Sequence, residues 1–186
     1  MSKYTKSDFL VAFFNLVGKK KTTSISVKEL SEHAGYSRTA FYKNFKSIDS
    51  IIDYFQDKIH DEIYAEITKF KLVDLTPEII ADLLLPIIYH YRSELKISLR
   101  YMPSNTWKNY IHDRYYPWFE KQITTHSPQK KLNQNELFFD CFITVCMSVI
   151  IDWVESDVPK TIEKEREIFI FYLKHSLWDI SQTRLF

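Results

Sequence analysis

Between Arg38 and Lys46 the sequence places a guanidinium, a threonine, a phenol and two ammonium groups close together. At about 100° per residue, Arg38, Thr39, Tyr42 and Lys43 share one arc of a helix while Phe41 and Phe45 take another. The outer arc suits nucleic-acid chemistry. Arg forks onto guanine O6 and N7, Thr touches a thymine methyl, and Tyr and Lys reach phosphates. Other chemistries find less support. Cys141 and Cys146 lie five apart on an apolar stretch and read as buried, reduced thiols. The histidines at 33, 60, 90, 112, 126 and 175 are scattered, without HxxxH or carboxylate spacing for zinc, so neither metal nor cofactor is expected. His60, beside Asp57 and Glu62, reads as part of a solvated helix face. No Walker motif, dinucleotide fingerprint or nucleophile elbow occurs, and no catalytic residue is assigned.

The elements that carry the Arg38–Lys46 arc are three short helices with tight breaks between them. Ser26 and Glu29 have capping-box spacing. Val27, Leu30 and Ala34 give the first of these helices an apolar face, and Gly35 is placed to end it in a left-handed conformation. Ser37 can cap the next helix, and Phe41 and Phe45 fall i, i+4 on its inner side. Ser47 can cap a third, whose Ile48, Ile51, Ile52, Phe55 and Ile59 form a helical stripe. Helix, short Gly turn, helix is the helix-turn-helix plan.

The run KELSEHAGYSRTAFYKNFKSIDSII resembles the DNA-binding domain of the TetR family of bacterial transcriptional regulators. The matching positions are Leu30, Ala34-Gly35, Ser37, Phe41, Tyr42 and Phe45. The match covers about the first third of the chain. It implies a cytoplasmic, homodimeric, all-α regulator of about nine helices, not an enzyme. Residues 1–47 would form a three-helix DNA-binding domain, and 48–186 a helical domain for dimerisation and effector binding. Carried over to this chain, Lys28, Arg38, Thr39 and Ala40 are base or base-adjacent contacts. Ser26, Tyr42 and Asn44 are phosphate contacts, and Lys43 can serve either purpose. Two positions depart from the family pattern. Ile48 stands where a phosphate-binding Lys is usual, leaving Lys46 as its substitute, and Tyr36 stands where Val or Ile is usual.

Charge supports this division. Residues 1–48 carry nine Lys or Arg against three acids, a net of +6, and the remaining residues carry 16 against 21, a net of −5. A basic head on an acidic body is the footprint of a nucleic-acid binder. With 45% hydrophobic residues, two glycines and six prolines, the chain reads as folded and helix-rich. Helix 1 is expected from Lys6 to Val17, with Leu10, Phe13, Phe14 and Val17 inward and Gly18 as its stop. Lys19–Ser24 is then a basic connection suited to the DNA backbone. The helix beginning near Ile48 is expected to run to about Phe70.

Further along, Thr76-Pro77-Glu78 opens a strongly apolar helix that Pro86 should kink or split. After a break at Pro103-Ser104 the chain is rich in aromatics. In the family the middle helices enclose an effector pocket, which singles out Tyr89, Tyr101, Trp107, Tyr110, His112 and Tyr115. Ordinary core packing explains the same residues. A polar loop at 126–135 precedes a helix from Glu136 to Val154 that is apolar on most of its circumference. Its uncharged centre, Cys141–Ile151, is shorter than the ~20 residues a bilayer needs, so no membrane partner is expected. A last helix, about Lys160 to Ile180, carries Ile162, Phe169, Leu173 and Leu177 on one face. In the family the last two helices pair with a second copy.

The function these residues suggest is a homodimeric repressor on a palindromic operator, released by a small-molecule or protein effector. Two alternatives differ from it: a helical ligand- or protein-binding module with weakened DNA binding, and an activator gated by a partner. Sequence alone gives neither the operator, the regulated genes, the sign of regulation nor the effector.

Overall fold

The computed structural model describes residues 3–20, 24–101, 104–126 and 132–175. Among them are nine α-helices, one 3-10 turn and no strand. They are α1 (Lys3–Lys20), α2 (Val27–Ala34), α3 (Arg38–Asn44), α4 (Asp49–Ile67), α5 (Pro77–His90), α6 (Arg92–Ser98), α7 (Ser104–His126), α8 (Leu132–Glu155) and α9 (Ile162–Lys174), with the 3-10 turn at Leu72–Asp74. The described chain divides into two compact units. One is drawn from Met1–Asp61 and Ser93–Pro103, the other from Glu62–Arg92 and Ser104–Phe186.

The first unit is built around phenylalanines. Phe9, Phe13, Phe41 and Phe55 are fully buried, with Leu10, Phe14, Val17, Leu30 and Phe45 around them. Phe9 of α1 meets Phe41 and Phe45 of α3 edge-on, at 5.4 and 6.2 Å between ring centres. Phe14 meets Phe55 of α4 at 4.7 Å. Such edge contacts add about 0.5–1.5 kcal/mol each beyond area burial. The stripe on α4 turns further inward than its residue types suggest. Gln56 and His60 are buried, so His60 is not on a solvated face. Helical period explains the correction: Ile52, Gln56 and His60 follow one another at i, i+4, which keeps all three on the inner side.

Gly18 does not stop α1, which continues to Lys20. Positive φ among the glycines occurs at Gly35 alone, so Gly18 stays in the helix. Lys19 and Lys20 then sit in the last turn, where cations favour the helix dipole. Lys21–Thr23, and with them part of the expected basic connection, lie outside the described residues.

In the second unit α5 packs on α9, and α8 packs on both α7 and α9. Thr76 caps α5 by accepting from the Ile79 N–H at 3.3 Å, and Pro77 takes the first turn as expected. Pro86 neither splits nor ends α5, which is continuous to His90. Ala81, Leu85 and Ile88 are buried around it, and that burial holds the helix through the missing bond. Pro117 is likewise interior to α7. The break expected at Pro103-Ser104 falls partly outside the described residues, and α7 begins at Ser104.

α8 begins at Leu132, a turn earlier than its apolar stretch indicates, because its first turn is polar and gives no periodic signal. Residues 127–131 of the expected loop lie outside the described residues. Trp153 is fully buried and ties the end of α8 down. Its indole Nε1 donates to the Lys160 carbonyl at 2.9 Å, and Tyr89 stacks on its ring at 6.0 Å. Arg92 donates to the Trp153 carbonyl from Nε and Nη2 at 3.2 and 3.0 Å, and to the Ser156 carbonyl as well. These are carbonyls that a helix end leaves without partners of its own. Cys146 is buried, and desolvation pushes its thiol up to about 12. Cys141 is exposed, so the two thiols do not share one buried environment. α9 starts after the Thr161 cap. Leu177 and Ile180 lie outside the described residues.

Candidate nucleic-acid interface

Local chemistry at the α2–α3 corner explains its shape. The Ser26 hydroxyl accepts from the Glu29 N–H at 3.2 Å, starting α2. The Glu29 carboxylate itself is ion-paired with Lys20, which joins α2 to the end of α1. At the other end Gly35 adopts φ 74°, ψ 26°. Its N–H donates to the Glu32 carbonyl at 3.3 Å and the Tyr36 N–H to the Ser31 carbonyl at 2.9 Å. This paired closure is a Schellman motif, and its left-handed residue favours glycine. The Ser37 hydroxyl then accepts from the Ala40 N–H at 3.1 Å, so α3 starts two residues after the turn.

Tyr36 packs on the first helix. Its ring centre is 5.3 Å from that of Phe9, and its hydroxyl donates to Asp8 Oδ2 at 2.6 Å. That bond to the carboxylate, and secondarily burial, raise the Tyr36 hydroxyl above its ordinary range. Ser47 and Ser50 bond reciprocally across the start of α4, Ser47 N–H to Ser50 Oγ at 3.2 Å and Ser50 N–H to Ser47 Oγ at 3.4 Å.

The expected contact residues separate cleanly by exposure. Phe41 and Phe45 are buried, while Ser26, Lys28, Arg38, Thr39, Tyr42, Lys43 and Lys46 are exposed and Ala40 is half-buried. Asn44 is half-buried, and its side-chain nitrogen donates back to the Ala40 carbonyl at 2.8 Å. That bond uses one of the two amide N–H donors and leaves the other for a phosphate. Ile48 is half-buried and Lys46 exposed.

The acids of this unit's basic part are already engaged. Asp8 accepts from Tyr36, Glu29 pairs with Lys20, and Glu32 approaches Lys28 at 4.0 Å. The last is an exposed pair of little energetic weight, so Lys28 remains available. Arg38, Lys43 and Lys46 carry no ion pair among the described residues. The face thus presents a fork donor, a methyl-bearing hydroxyl, a phenol and unpaired cations on one rigid corner.

The aromatic set around α7 has more varied surroundings. Trp107 and Tyr115 are buried, Tyr110 and His112 half-buried, and Tyr89 exposed. Tyr115 neighbours Tyr64 at 5.7 Å, while Tyr101 belongs to the first unit and packs on Phe13 at 5.6 Å. His112 stacks on Tyr116 at 4.9 Å, with Glu136 and Asp140 at 3.7 and 3.8 Å from Nε2 and Asp113 at 3.5 Å from Nδ1. Sequence reasoning had not linked Tyr116, Glu136 or Asp140 to this histidine, because α7 and α8 meet only in the folded chain. Among the described residues no group of three or more His, Cys, Asp or Glu could hold a metal ion.

No family model matches the sequence, and no curated protein matches it. Among solved structures, this fold is similar to that of a transcriptional regulator of the TetR/AcrR family from Aquifex aeolicus VF5, with a TM-score of 0.68. The two are 23% identical over 91% of this chain and 98% of the other. The helix-turn-helix corner and the helical remainder therefore belong to one known plan, and the chain has the all-α TetR/AcrR fold.

Proposed function

We propose that this protein is a DNA-binding transcriptional regulator whose α3 enters the major groove. One observation carries the reading. On a helix only seven residues long, Phe41 and the Phe45 that follows its last residue are buried, and Arg38, Thr39, Tyr42 and Lys43 all face solvent. Arg38 and Thr39 stand at the N-terminal end, which meets base edges in helix-turn-helix recognition. Tyr42, Lys43, Lys46 and Ser26 serve phosphates, and Lys28 lies beside the bases.

The active form is a homodimer through α8 and α9. Support comes from α8, where Leu137, Phe138 and Val145 are exposed and, over Asn135–Glu155, only Phe139, Cys146, Trp153 and Val154 are buried within the chain. By length and composition that stretch could cross a membrane. Its carboxylates and its neighbours favour a protein partner instead: Asp140 meets Lys108 at 3.4 Å, and Trp153 is locked to Arg92 and Lys160. A dimer sets two α3 helices on a palindrome with half-sites about 34–36 Å apart or a multiple of that. We assign it repression in the cytoplasm, released when an effector at the second unit, near Trp107, Tyr110, His112 and Tyr115, favours a geometry that misfits this spacing.

Selection of bound duplexes from a random pool at two salt concentrations tests the proposal. A recovered palindrome with the stated spacing is expected. Weak, salt-sensitive binding without sequence enrichment would overturn it.

A further inference from the structure

We propose that Tyr36 is a positioning residue for α3, fixing the N-terminal end of that helix on α1 through its hydroxyl bond to Asp8. Its consequence for sequence selection rests on the duplex-binding reading above; the geometry does not. A helix as short as α3 has no independent stability in water, so its direction comes from its anchors. Phe41 and Phe45 hold its middle and C-terminal end in the core. Its N-terminal end, from Ser37 through Thr39, is exposed. Tyr36 is placed directly before that end and is gripped at three points. Its N–H bonds to the Ser31 carbonyl, its ring rests on Phe9, and its hydroxyl donates to Asp8.

Asp8 and Phe9 are consecutive on α1, so ring and hydroxyl are held by one turn of one helix. A phenol donating to a carboxylate at 2.6 Å is a short, charge-assisted bond. Val or Ile at position 36 would keep an apolar contact with Phe9 but could not form that bond. Without it, one of the three grips before α3 is lost, the N-terminal end of that helix gains freedom about Phe41 and Phe45, and Arg38, two residues from Tyr36, is displaced with it. A bidentate base contact depends on the register of the guanidinium fork, whereas phosphate contacts tolerate displacement. Tyr36 therefore governs discrimination between sequences more than affinity for DNA as such.

Tyr36→Phe keeps the ring and the net charge and removes only the tie. Its affinity for the selected duplex should fall about three- to tenfold, as for loss of one hydrogen bond. Affinity for a scrambled duplex and the slope against salt should stay as in the wild type. Asp8→Ala should lower the selected-to-scrambled ratio by the same factor, and adding it to Tyr36→Phe should lower it no further. Amide hydrogen exchange without DNA supplies the second readout. Exchange at Phe41–Asn44 should quicken in Tyr36→Phe, while Phe55 and Ile59 in α4 keep their protection. If α3 exchange quickens but the wild-type protein selects no duplex, the positioning role stands and the duplex-binding reading falls. Unchanged α3 exchange, or independent effects of the two substitutions, overturns the proposal.

Discussion

At the α2–α3 corner the rings go inward and the cations outward. Phe41 and Phe45 are buried, and Arg38, Lys43 and Lys46 stand in solvent with no acid among the described residues paired to them. Between α7 and α8 the polar groups answer one another instead. Lys108 meets Asp140, and His112 lies near Asp113, Glu136 and Asp140 while stacking on Tyr116. Aromatics pack beneath both. A surface that keeps cations unpaired retains a field to attract a polyanion, whereas groups already paired serve chiefly to join helices. The contrast supports the duplex binding proposed for the first region, and it gives the paired groups of the second a part in joining α7 to α8.

The largest effects should come from the buried rings, where the two regions are alike. Phe41→Ala and Phe139→Ala, the latter a buried α8 ring 5.5 Å from that of Tyr116, should each destabilise their own unit by about 3–5 kcal/mol, read by thermal unfolding with ring-specific probes. Only Phe41→Ala should also abolish duplex binding. The polar residues then separate the regions. Arg38→Ala should weaken selected-sequence binding by about 1–3 kcal/mol and relax its preference, with little change in stability. Lys108→Ala should leave binding unchanged and cost at most about 1 kcal/mol of stability, as for a partly exposed pair. Equal binding losses from both would dissolve the comparison.

The two glycines sharpen it at the next level down. Gly35→Ala should cost about 1–2 kcal/mol, because a Cβ at φ 74° meets the following carbonyl. Gly18→Ala should instead stabilise by about 0.5–1 kcal/mol, since Gly18 is inside α1 and a Cβ there has nothing within 4 Å. Chemical denaturation of both variants checks the opposite signs.

The smallest effect concerns α4, where burial first, then Asp49 and Asp57, raise the Asp53 carboxyl above its usual range. The folded state then binds the proton more tightly than the unfolded one. Ionised Asp53 is destabilising at neutral pH, and this is relieved as pH falls through its folded pKa. Asp53→Asn should raise the melting temperature slightly at neutral pH, with the difference closing in acid.

What the sequence discloses follows the range of the physics involved. Ser26, Ser37, Thr76 and the Gly35 turn are legible because capping is settled within four residues of the chain. The outward face of α3 is legible for the same reason, since helical period sorts its residues without outside help. Gly18 misleads because a glycine permits a left-handed angle without requiring one. Pro86 does not split α5, because buried neighbours carry the helix through it. His60 is assigned to the wrong side by residue type, although its spacing from Ile52 and Gln56 already points inward. Tyr36 with Asp8, and His112 with Glu136 and Asp140, join residues far apart in sequence, and no local pattern encodes such pairs. That is also why a pocket cannot be assembled from aromatic residue types alone.

The central claim is that the outward face of α3 meets DNA. Backbone amide NMR with stepwise addition of a duplex tests it most directly, because each region reports separately. The account predicts shifts at Arg38, Thr39, Tyr42, Lys43 and Lys46, with resonances from α7 and α8 unmoved. Shifts on α7 and α8 with α3 unmoved would contradict it.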